Sequence, residues 1–255
     1  MSKYQRYIIL GSIYLFLYVP IFVLIVFSFN TESYPSPWKS FTLEWYKELF
    51  YSVHLWRSFF NSLFVAVCST LMSLLIGVSL IFYVAQGGRI GKSLSLFYGN
   101  LVVPETVLAV GLLTLFSFLS VPLGLMTLIA SHTVLGLGFV VPIAYVRFLE
   151  LDPRLTEASL VLGATHFQTF FKITLPLLRP SLISTSLLVM MISFDDFILS
   201  YFIAGSSAQT LPLYILSMLR SGVSPVVNAL SAILLVFSTF LAALFFSLKS
   251  RNRIL

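Results

Sequence analysis

The chain has 255 residues, of which 58% are hydrophobic and 9% are charged, and its mean hydropathy is +1.00. Soluble domains carry about 25% charged residues, so this composition excludes a soluble globular protein and predicts an integral membrane protein. The net charge of +6 does not indicate nucleic-acid binding, because the basic residues flank apolar runs and form no single patch interleaved with aromatics.

Six apolar runs are long enough to cross a bilayer core of about 30 Å, which takes roughly 20 helical residues. They predict an all-α membrane domain over residues 1–255. The spans are expected at residues 7–29, 58–85, 94–119, 123–146, 181–204 and 226–248. The first run is too long for a signal peptide and lacks a small-residue cleavage site, so we interpret it as a retained anchor.

The basic residues predict how the spans are oriented, because cytoplasmic loops carry an excess of Lys and Arg. One set of span ends holds Lys3, Arg6, Arg89, Lys92, Arg147, Arg154, Lys172, Arg179, Lys249, Arg251 and Arg253. The other set holds Lys39, Lys47, Arg57 and Arg220. The first set is therefore predicted to be cytoplasmic, with both termini inside.

The turn at residues 87–93, with the sequence GGRIGKS, looks at first like a phosphate-binding loop. Such a loop needs four residues between its first glycine and the Gly-Lys-Ser, and it follows a buried strand. Gly87 leaves three residues, and the preceding segment is a membrane helix. We interpret the segment as a tight basic turn and expect any ATP to be hydrolysed by another chain.

Cys68 is the only cysteine, and it lies in an apolar segment. One cysteine predicts neither a disulfide framework nor a cysteine-based metal site. We therefore expect packing as its role, and no metal or cofactor is predicted for this chain.

The inner connection at residues 147–180 has a helical pattern of its own. Asp152 is a favourable N-cap and Pro153 a favourable first helical residue. Gly163 then permits a sharp turn, and a short second helix is predicted at residues 166–174, because the proline that follows disfavours helical geometry in the residue before it. The result is a helical hairpin on the inner membrane face.

This hairpin resembles the EAA loop of ABC importer permeases, which has the pattern Glu-Ala-Ala, three residues, Gly, nine residues, then Ile-x-Leu-Pro. The matching residues here are Glu157, Ala158, Ser159, Gly163, Ile173, Leu175 and Pro176. Every spacing agrees, and the one departure, Ser159, keeps a small side chain. The resemblance implies the fold of a type I ABC importer permease, with this hairpin as the coupling helix that docks on the ATPase subunits. An ordinary interfacial hairpin is the alternative.

Several regions further along the chain resemble permeases of spermidine/putrescine importers. They are FDDF at 194–197, SYFIAG at 200–205, TLPL at 210–213, SM at 217–218, GVSP at 222–225 and NAL at 228–230. The resemblance implies transport of polyamines across a bacterial inner membrane. It also implies a second, different permease as partner, a dimer of ATP-binding subunits, and a polyamine-binding protein outside the membrane.

Three carboxylates lie within predicted spans, namely Asp195, Asp196 and Glu105. Counted along continuous helices at 1.5 Å per residue, the two aspartates fall in the outer half of the fifth span and Glu105 near the midplane of the third. Charged residues inside a membrane normally face a cavity or a partner. These acids are therefore candidates for the substrate pathway.

Helical periodicity separates the two aspartates, because adjacent residues on a helix differ by about 100°. Asp196 shares a polar stripe with Thr185, Ser186, Ser193 and Ser200. We therefore expect Asp196 to face the pathway. Asp195 aligns with apolar residues, and its role stays open between a substrate contact and a buried contact with another helix or the partner permease.

Aromatic side chains flank the acids, at Phe194, Phe197 and Tyr201. Aromatic faces bind cations, so they could hold the ammonium groups and the methylenes of a polyamine. Plain helix packing is the alternative for each of them.

Three other functions are open at this stage. The first is a permease for another small organic cation, and the second is a stand-alone cation carrier. The third is an intramembrane serine protease with Ser79, in the segment Gly77-Val78-Ser79-Leu80, and His132 as its dyad. Small Gly/Ser pairs are ordinary in packed membrane helices, which disfavours the third.

Overall fold

The computed structural model describes residues 3–32, 36–220 and 225–236, and its regular elements there are helices. The predicted all-α class is confirmed. In chain order the helices are α1 (Lys3–Phe27), α2 (Glu44–Tyr51), α3 (Val53–Ala85), α4 (Gly91–Val102), α5 (Glu105–Phe118), α6 (Leu125–Leu149), α7 (Pro153–Val161), α8 (His166–Thr169), α9 (Leu175–Asp195), α10 (Ile198–Ile203), α11 (Leu211–Arg220) and α12 (Pro225–Val236).

Four helical segments in the described part of the chain are long and apolar enough to cross a membrane. They are Tyr7–Phe27, Val53–Ala85, Leu125–Leu149 and His166–Asp195. The pair α4 and α5 brings the number to five if it forms one span. The predicted sixth span is described only as far as the end of α12, and its remainder lies outside the described residues.

The predicted third span is not one continuous helix. α4 ends at Val102, Val103 is extended (φ −66°, ψ 129°), and α5 begins at Glu105 after a bend of 117°. Pro104 has no N–H and its ring clashes with the preceding turn, so a regular helix does not pass through it. The depth of Glu105 counted along an unbroken helix is therefore wrong.

The chain divides into two compact units, Met1–Leu55 with Ile215–Leu255, and Trp56–Tyr214. In the first unit, the segment after α1 folds around the buried side chain of Asn30. Its Oδ1 accepts a hydrogen bond from the backbone N–H of Lys39 at 2.9 Å, and Trp45 Nε1 donates to its backbone oxygen at 2.8 Å. At the surface, hydrogen bonding and charge from Glu32 raise the pKa of Lys39.

In the second unit, α6 packs against α4, α9 and α10. Close approach depends on small residues, as is usual between membrane helices. A Cβ added at Gly136 would overlap the Ser73 side chain of α3 and lie 2.9 Å from Val189 Cγ1 of α9. Glycine at this position therefore lets three helices meet.

Two apolar clusters in this unit lie at different heights along α3 and α6. One contains Val65, Ala109, Leu128, Leu199, Ile203, Ala204 and Ala208. The other contains Ile81, Ala144, Phe170 and Leu178. Ser69 lies between the two clusters along α3, and His132 lies between them along α6. Both residues are buried. A polar layer thus interrupts the apolar packing, at the height where the site described next is built.

Candidate substrate and coupling sites

The fifth predicted span breaks at its two aspartates. α9 ends at Asp195, Asp196 is extended (φ −67°, ψ 123°), and α10 begins at Ile198. Aspartate side chains compete for nearby backbone N–H groups and favour helix starts over helix interiors. The single helix predicted at residues 181–204 is therefore interrupted by a residue whose chemistry favours a new N-terminus.

The Asp196 carboxylate is buried at this break, with its side chain 1% exposed. Its Oδ2 accepts a hydrogen bond from the backbone N–H of Ser200 at 3.0 Å, and its Oδ1 accepts from that of Leu199 at 3.4 Å. These donors belong to the first turn of α10, which has no earlier helical carbonyls to bond. Asp196 therefore caps α10.

Other polar side chains surround this carboxylate. His132 Nε2 lies 3.4 Å from Asp196 Oδ2, and the Glu105 carboxyl lies beside it. His132 Nδ1 is 2.7 Å from Ser193 Oγ, which is 3.1 Å from Ser69 Oγ. The result is a buried polar network, defined as Ser69, His132, Ser193 and Asp196, that joins α3, α6 and α9 to the start of α10.

The two adjacent acids have opposite surroundings. Asp196 faces inward, and Asp195 is exposed. Of the predicted polar stripe, Thr185, Ser193 and Ser200 are buried with Asp196, whereas Ser186 is half-buried. These residues pack within the chain. For Asp195, a buried contact with another helix in the described part of this chain is excluded.

The flanking aromatics have different surroundings. Phe194 is half-buried and packs edge-to-face on Phe59 of α3, with ring centroids 5.8 Å apart. The rings of Phe197 and Tyr201 are tilted relative to each other, with centroids 5.5 Å apart, and Tyr201 is 48% exposed. Of the three predicted aromatics, Tyr201 has the most accessible ring. Glu105, the third predicted acid, is half-buried.

The structure provides no Ser79–His132 dyad. The Ser79 hydroxyl donates to the carbonyl oxygen of Leu75 at 2.7 Å, while the His132 ring contacts Ser193 and Asp196. Ser193, His132 and Asp196 have the residue types of a hydrolase triad, but each is at most 6% exposed. A buried serine that already contacts another hydroxyl offers a substrate carbonyl no approach, so hydrolysis is disfavoured.

Sequence inspection missed His132 and Ser69 as members of the network. His132 had been considered only as the partner of Ser79. It is the only Asp, Glu, His, Lys or Arg in α6 before Arg147, and such a residue within a membrane helix is a candidate functional residue by default. That signal identifies His132, whereas no local pattern distinguishes Ser69 from other serines of α3.

The hairpin in the connection at residues 147–180, called the coupling hairpin below after the role that the resemblance implies, has the predicted start and turn. The Asp152 side chain accepts a hydrogen bond from the Arg154 N–H at 2.9 Å, and Pro153 opens α7. Gly163 has φ +88°, a left-handed conformation that favours glycine. Thr165 then caps α8 by accepting from the backbone N–H of Gln168 at 3.2 Å.

The end of the hairpin differs from the prediction. The helical path that begins with α8 does not stop before Pro176, because a π-helical turn, Phe170–Thr174, joins α8 to α9. Pro176 lies in the first turn of α9, where a missing N–H is best tolerated. The hairpin is thus continuous with the long helix that leads to the aspartates.

The residues of the coupling motif differ in exposure. Glu157, Ala158, Gly163 and Pro176 are exposed, Ile173 and Leu175 are half-buried, and Ser159 is buried. The Ser159 hydroxyl bonds that of Thr169 and ties α7 to α8. Val161 and Leu162 are each 87% exposed, so the hairpin has an exposed apolar tip at the end of α7.

The described residues contain no group of three or more His, Cys, Asp or Glu side chains arranged to hold a metal ion.

The basic turn before α4 includes Gly87 at φ +91°. It follows α3, a helix, as expected for a tight turn between helices.

Known proteins resemble this chain over most of its length. Residues 77–254 match the family described as binding-protein-dependent transport system inner membrane component. The spermidine/putrescine transport system permease protein PotC of Escherichia coli K12 is 39% identical over 231 residues, covering 89% of this chain and 87% of that protein. The putrescine transport system permease protein PotI of the same strain is 31% identical over 239 residues, covering 90% and 85%.

Solved structures show the same fold. A bacterial ABC transporter involved in the import of the acidic polysaccharide alginate has a TM-score of 0.67 at 15% identity, covering 98% of both chains. The MetNI methionine ABC transporter has a TM-score of 0.60 at 22% identity, covering 78% of this chain and 95% of that chain. At these identities the likeness concerns the fold alone.

Proposed function

This chain belongs to the binding-protein-dependent transport system inner membrane component family, and we propose that it is the permease subunit of an ATP-driven ABC importer that moves spermidine or putrescine into the cytoplasm. The observation that supports this substrate assignment is the 39% identity to a spermidine/putrescine permease over 89% of the chain. A permease of this kind is a transport subunit, and partner chains hydrolyse the ATP.

The chemistry of the membrane helices supports a cationic substrate. Asp195 presents an exposed carboxylate at the end of α9, and Glu105 a half-buried one at the start of α5. Polyamines carry several ammonium groups joined by methylene chains, so carboxylates can neutralise the charges while an aromatic ring such as Tyr201 contacts the cations and the methylenes. Anion importers use helix N-termini or basic groups at their sites instead.

We assign the substrate pathway to Asp195 and Glu105, with aromatic faces from Phe194, Phe197 and Tyr201. Asp196 belongs to the same region but has its oxygens occupied inside the chain. The runner-up function, a permease for another small organic cation, uses the same acids. It differs only in the solute that the assembly accepts.

The exposed surface of the coupling hairpin supports the proposal that this subunit has ATP-binding partners. Glu157 and the apolar tip at Val161 and Leu162 are exposed, as a surface for an ATP-binding subunit requires. A stand-alone carrier would leave this surface without a role. The full assembly would contain a second permease, a dimer of ATP-binding subunits and an extracytoplasmic polyamine-binding protein.

We place the protein in a bacterial inner membrane with both termini cytoplasmic. The support is the distribution of basic residues, since the coupling hairpin and its flanks hold Arg147, Arg154, Lys172 and Arg179. This orientation puts the hairpin on the side where ATP is available.

The test is uptake of labelled putrescine and spermidine by cells that express the whole assembly. Wild type should accumulate at least one of the two amines, and an assembly with an inactive ATP-binding subunit should accumulate neither. Excess unlabelled polyamine should compete, whereas a neutral solute of similar length should not. If neither amine is taken up in an ATP-dependent way, the proposed substrate assignment is rejected.

The coupling role has a separate test. Glu157→Ala should retain ATP hydrolysis by the assembly while uptake falls about tenfold or more, because it removes a group from the docking surface and leaves the membrane helices unchanged. Glu48→Ala, an exposed glutamate on α2, is the matched control and should leave both rates unchanged. Parallel loss of hydrolysis and uptake in Glu157→Ala would contradict a specific coupling role.

A further inference from the structure

We propose that Asp196 is a positioning residue, that His132, Ser193 and Ser69 hold it in place, and that Asp195 is the carboxylate that meets the substrate. The identity of the substrate rests on the proposed polyamine function. The division of roles rests on the α9–α10 break, where two adjacent acids have opposite surroundings. Asp195 is exposed, and the side chain of Asp196 is 1% exposed.

A buried helix break has to satisfy the backbone that it frees. The first N–H groups of α10 have no earlier helical carbonyl as partner, and Leu199 and Ser200 are both buried. Asp196 meets this requirement, since its two oxygens accept from Leu199 and Ser200 at 3.4 Å and 3.0 Å. The carboxylate is therefore already engaged before any substrate arrives.

The rest of the network fixes this cap from the opposite side. His132 Nε2 lies 3.4 Å from Asp196 Oδ2 and has no hydrogen-bond partner among the described residues. Its Nδ1 contacts Ser193 at 2.7 Å, and Ser193 contacts Ser69 at 3.1 Å. His132 thereby packs against the cap without a hydrogen bond to it. The hydrogen bonds of Ser193 tie the end of α9 to His132 of α6 and to Ser69 of α3.

This arrangement determines where the neighbouring acid points. Asp195 is the last residue of α9, so the position of the break sets the direction of its side chain. Loss of the network would move the Asp195 carboxylate without removing its charge. Loss of the Asp195 charge would weaken substrate binding without moving the break. The two roles therefore have different experimental signatures.

Cysteine accessibility reads the geometry directly. In the complete assembly, on a Cys68→Ser background with normal uptake, Asp195→Cys and Asp196→Cys are each treated with a cationic methanethiosulfonate reagent. We expect Asp195→Cys to react at least about tenfold faster than Asp196→Cys, since thiol reactivity follows exposure. Equal rates, or faster reaction at position 196, would overturn the proposal.

Uptake kinetics separate contact from position, and they also serve if Asp196→Cys does not assemble. Asp195→Asn should raise KM by about tenfold or more, because it removes a charge that binds the substrate. Asp196→Asn keeps an oxygen that can accept from α10, so its KM should stay within about threefold of wild type while its Vmax falls. A KM increase in Asp196→Asn as large as that in Asp195→Asn would contradict the assignment.

The network itself is tested through His132. In the Asp195→Cys background, His132→Leu should change the labelling rate at least about threefold, because the break is no longer held in place, and His132→Gln should restore it to within about twofold. An unchanged labelling rate in His132→Leu would reject the positioning role. Both labelling experiments are independent of the substrate, so they stand even if the wild-type assembly transports neither polyamine.

Discussion

The coupling hairpin and the α9–α10 break use the same capping chemistry in opposite surroundings. In the hairpin, the exposed side chain of Asp152 accepts from the Arg154 N–H at 2.9 Å. At the break, the buried side chain of Asp196 accepts from Leu199 and Ser200. Water can replace the exposed cap, whereas the buried cap has no water to replace it. The surroundings therefore decide how much stability one residue type contributes.

The two regions also differ in why they contain a glycine. At Gly163 in the hairpin, an added Cβ would meet nothing within 4 Å, but φ is +88°. At Gly136 of α6, beside the buried network, an added Cβ would overlap Ser73. The first glycine is required by backbone conformation and the second by space.

The largest effect is expected from Asp196→Leu. It leaves two backbone N–H groups of α10 without acceptors, at about 1–3 kcal/mol each, and should destabilise the subunit by about 3 kcal/mol. The measurement is thermal unfolding of the purified assembly in lipid nanodiscs. Asp195→Leu is the matched control, and at an exposed position it should change stability by about 0.5 kcal/mol at most. Equal losses in the two variants would show that burial does not decide how much these aspartates contribute to stability.

The next largest effect is expected from Gly136→Ala. The added methyl group forces α3 and α9 away from α6, and such overpacking costs about 1–3 kcal/mol. Gly111→Ala in α5 is the control, because an added Cβ there meets nothing within 4 Å. It should stabilise the helix by up to about 1 kcal/mol. Thermal unfolding of both variants distinguishes them, and a neutral Gly136→Ala would show that the helices are not in close contact there.

A smaller, local effect is expected from Gly163→Ala. A side chain at positive φ costs about 1–2 kcal/mol, and this cost should appear as faster hydrogen exchange within α7. Gly163→Asn should lose less, because asparagine tolerates the left-handed conformation better. If alanine and asparagine behave alike, the backbone conformation is not what requires glycine.

The smallest effect is expected from Asp152→Ala. Removal of an exposed N-cap costs about 1 kcal/mol, again read by hydrogen exchange in α7. Asp152→Ser keeps a capping oxygen and should behave like wild type. A loss as large as that of Asp196→Leu would mean that burial does not control the contribution of a cap.

Much of the hairpin could be predicted from the sequence because its structure follows local rules. An N-cap, a proline at the first helical position and a glycine at the turn each act within a few residues, and each is observed. The prediction failed at Pro176, where the chain continues through a π-helical turn into α9. That turn packs its buried Phe170 with Ile81 and Ala144 of other helices, and no local pattern encodes this packing.

The membrane acids were identified from the sequence, but their orientations were not. Helical periodicity grouped Asp196 with Ser193 and Ser200, and all three are buried. It could not determine whether this group meets a pathway or the rest of the chain, because this depends on His132, 64 residues earlier in the sequence. The bend before Glu105 also removes the continuous helix along which its depth is counted.

The sequence by itself determined the membrane environment, the all-α class, the family motif and the candidate acids, since hydrophobicity, residue spacing and local capping are properties of neighbouring residues. The tertiary structure alone decided which of two adjacent aspartates is buried and which serine and histidine surround it. Those contacts join residues that are 61 and 124 positions apart. Their geometry is set by how α3, α6 and α9 pack, and packing at that distance leaves no local pattern in the sequence.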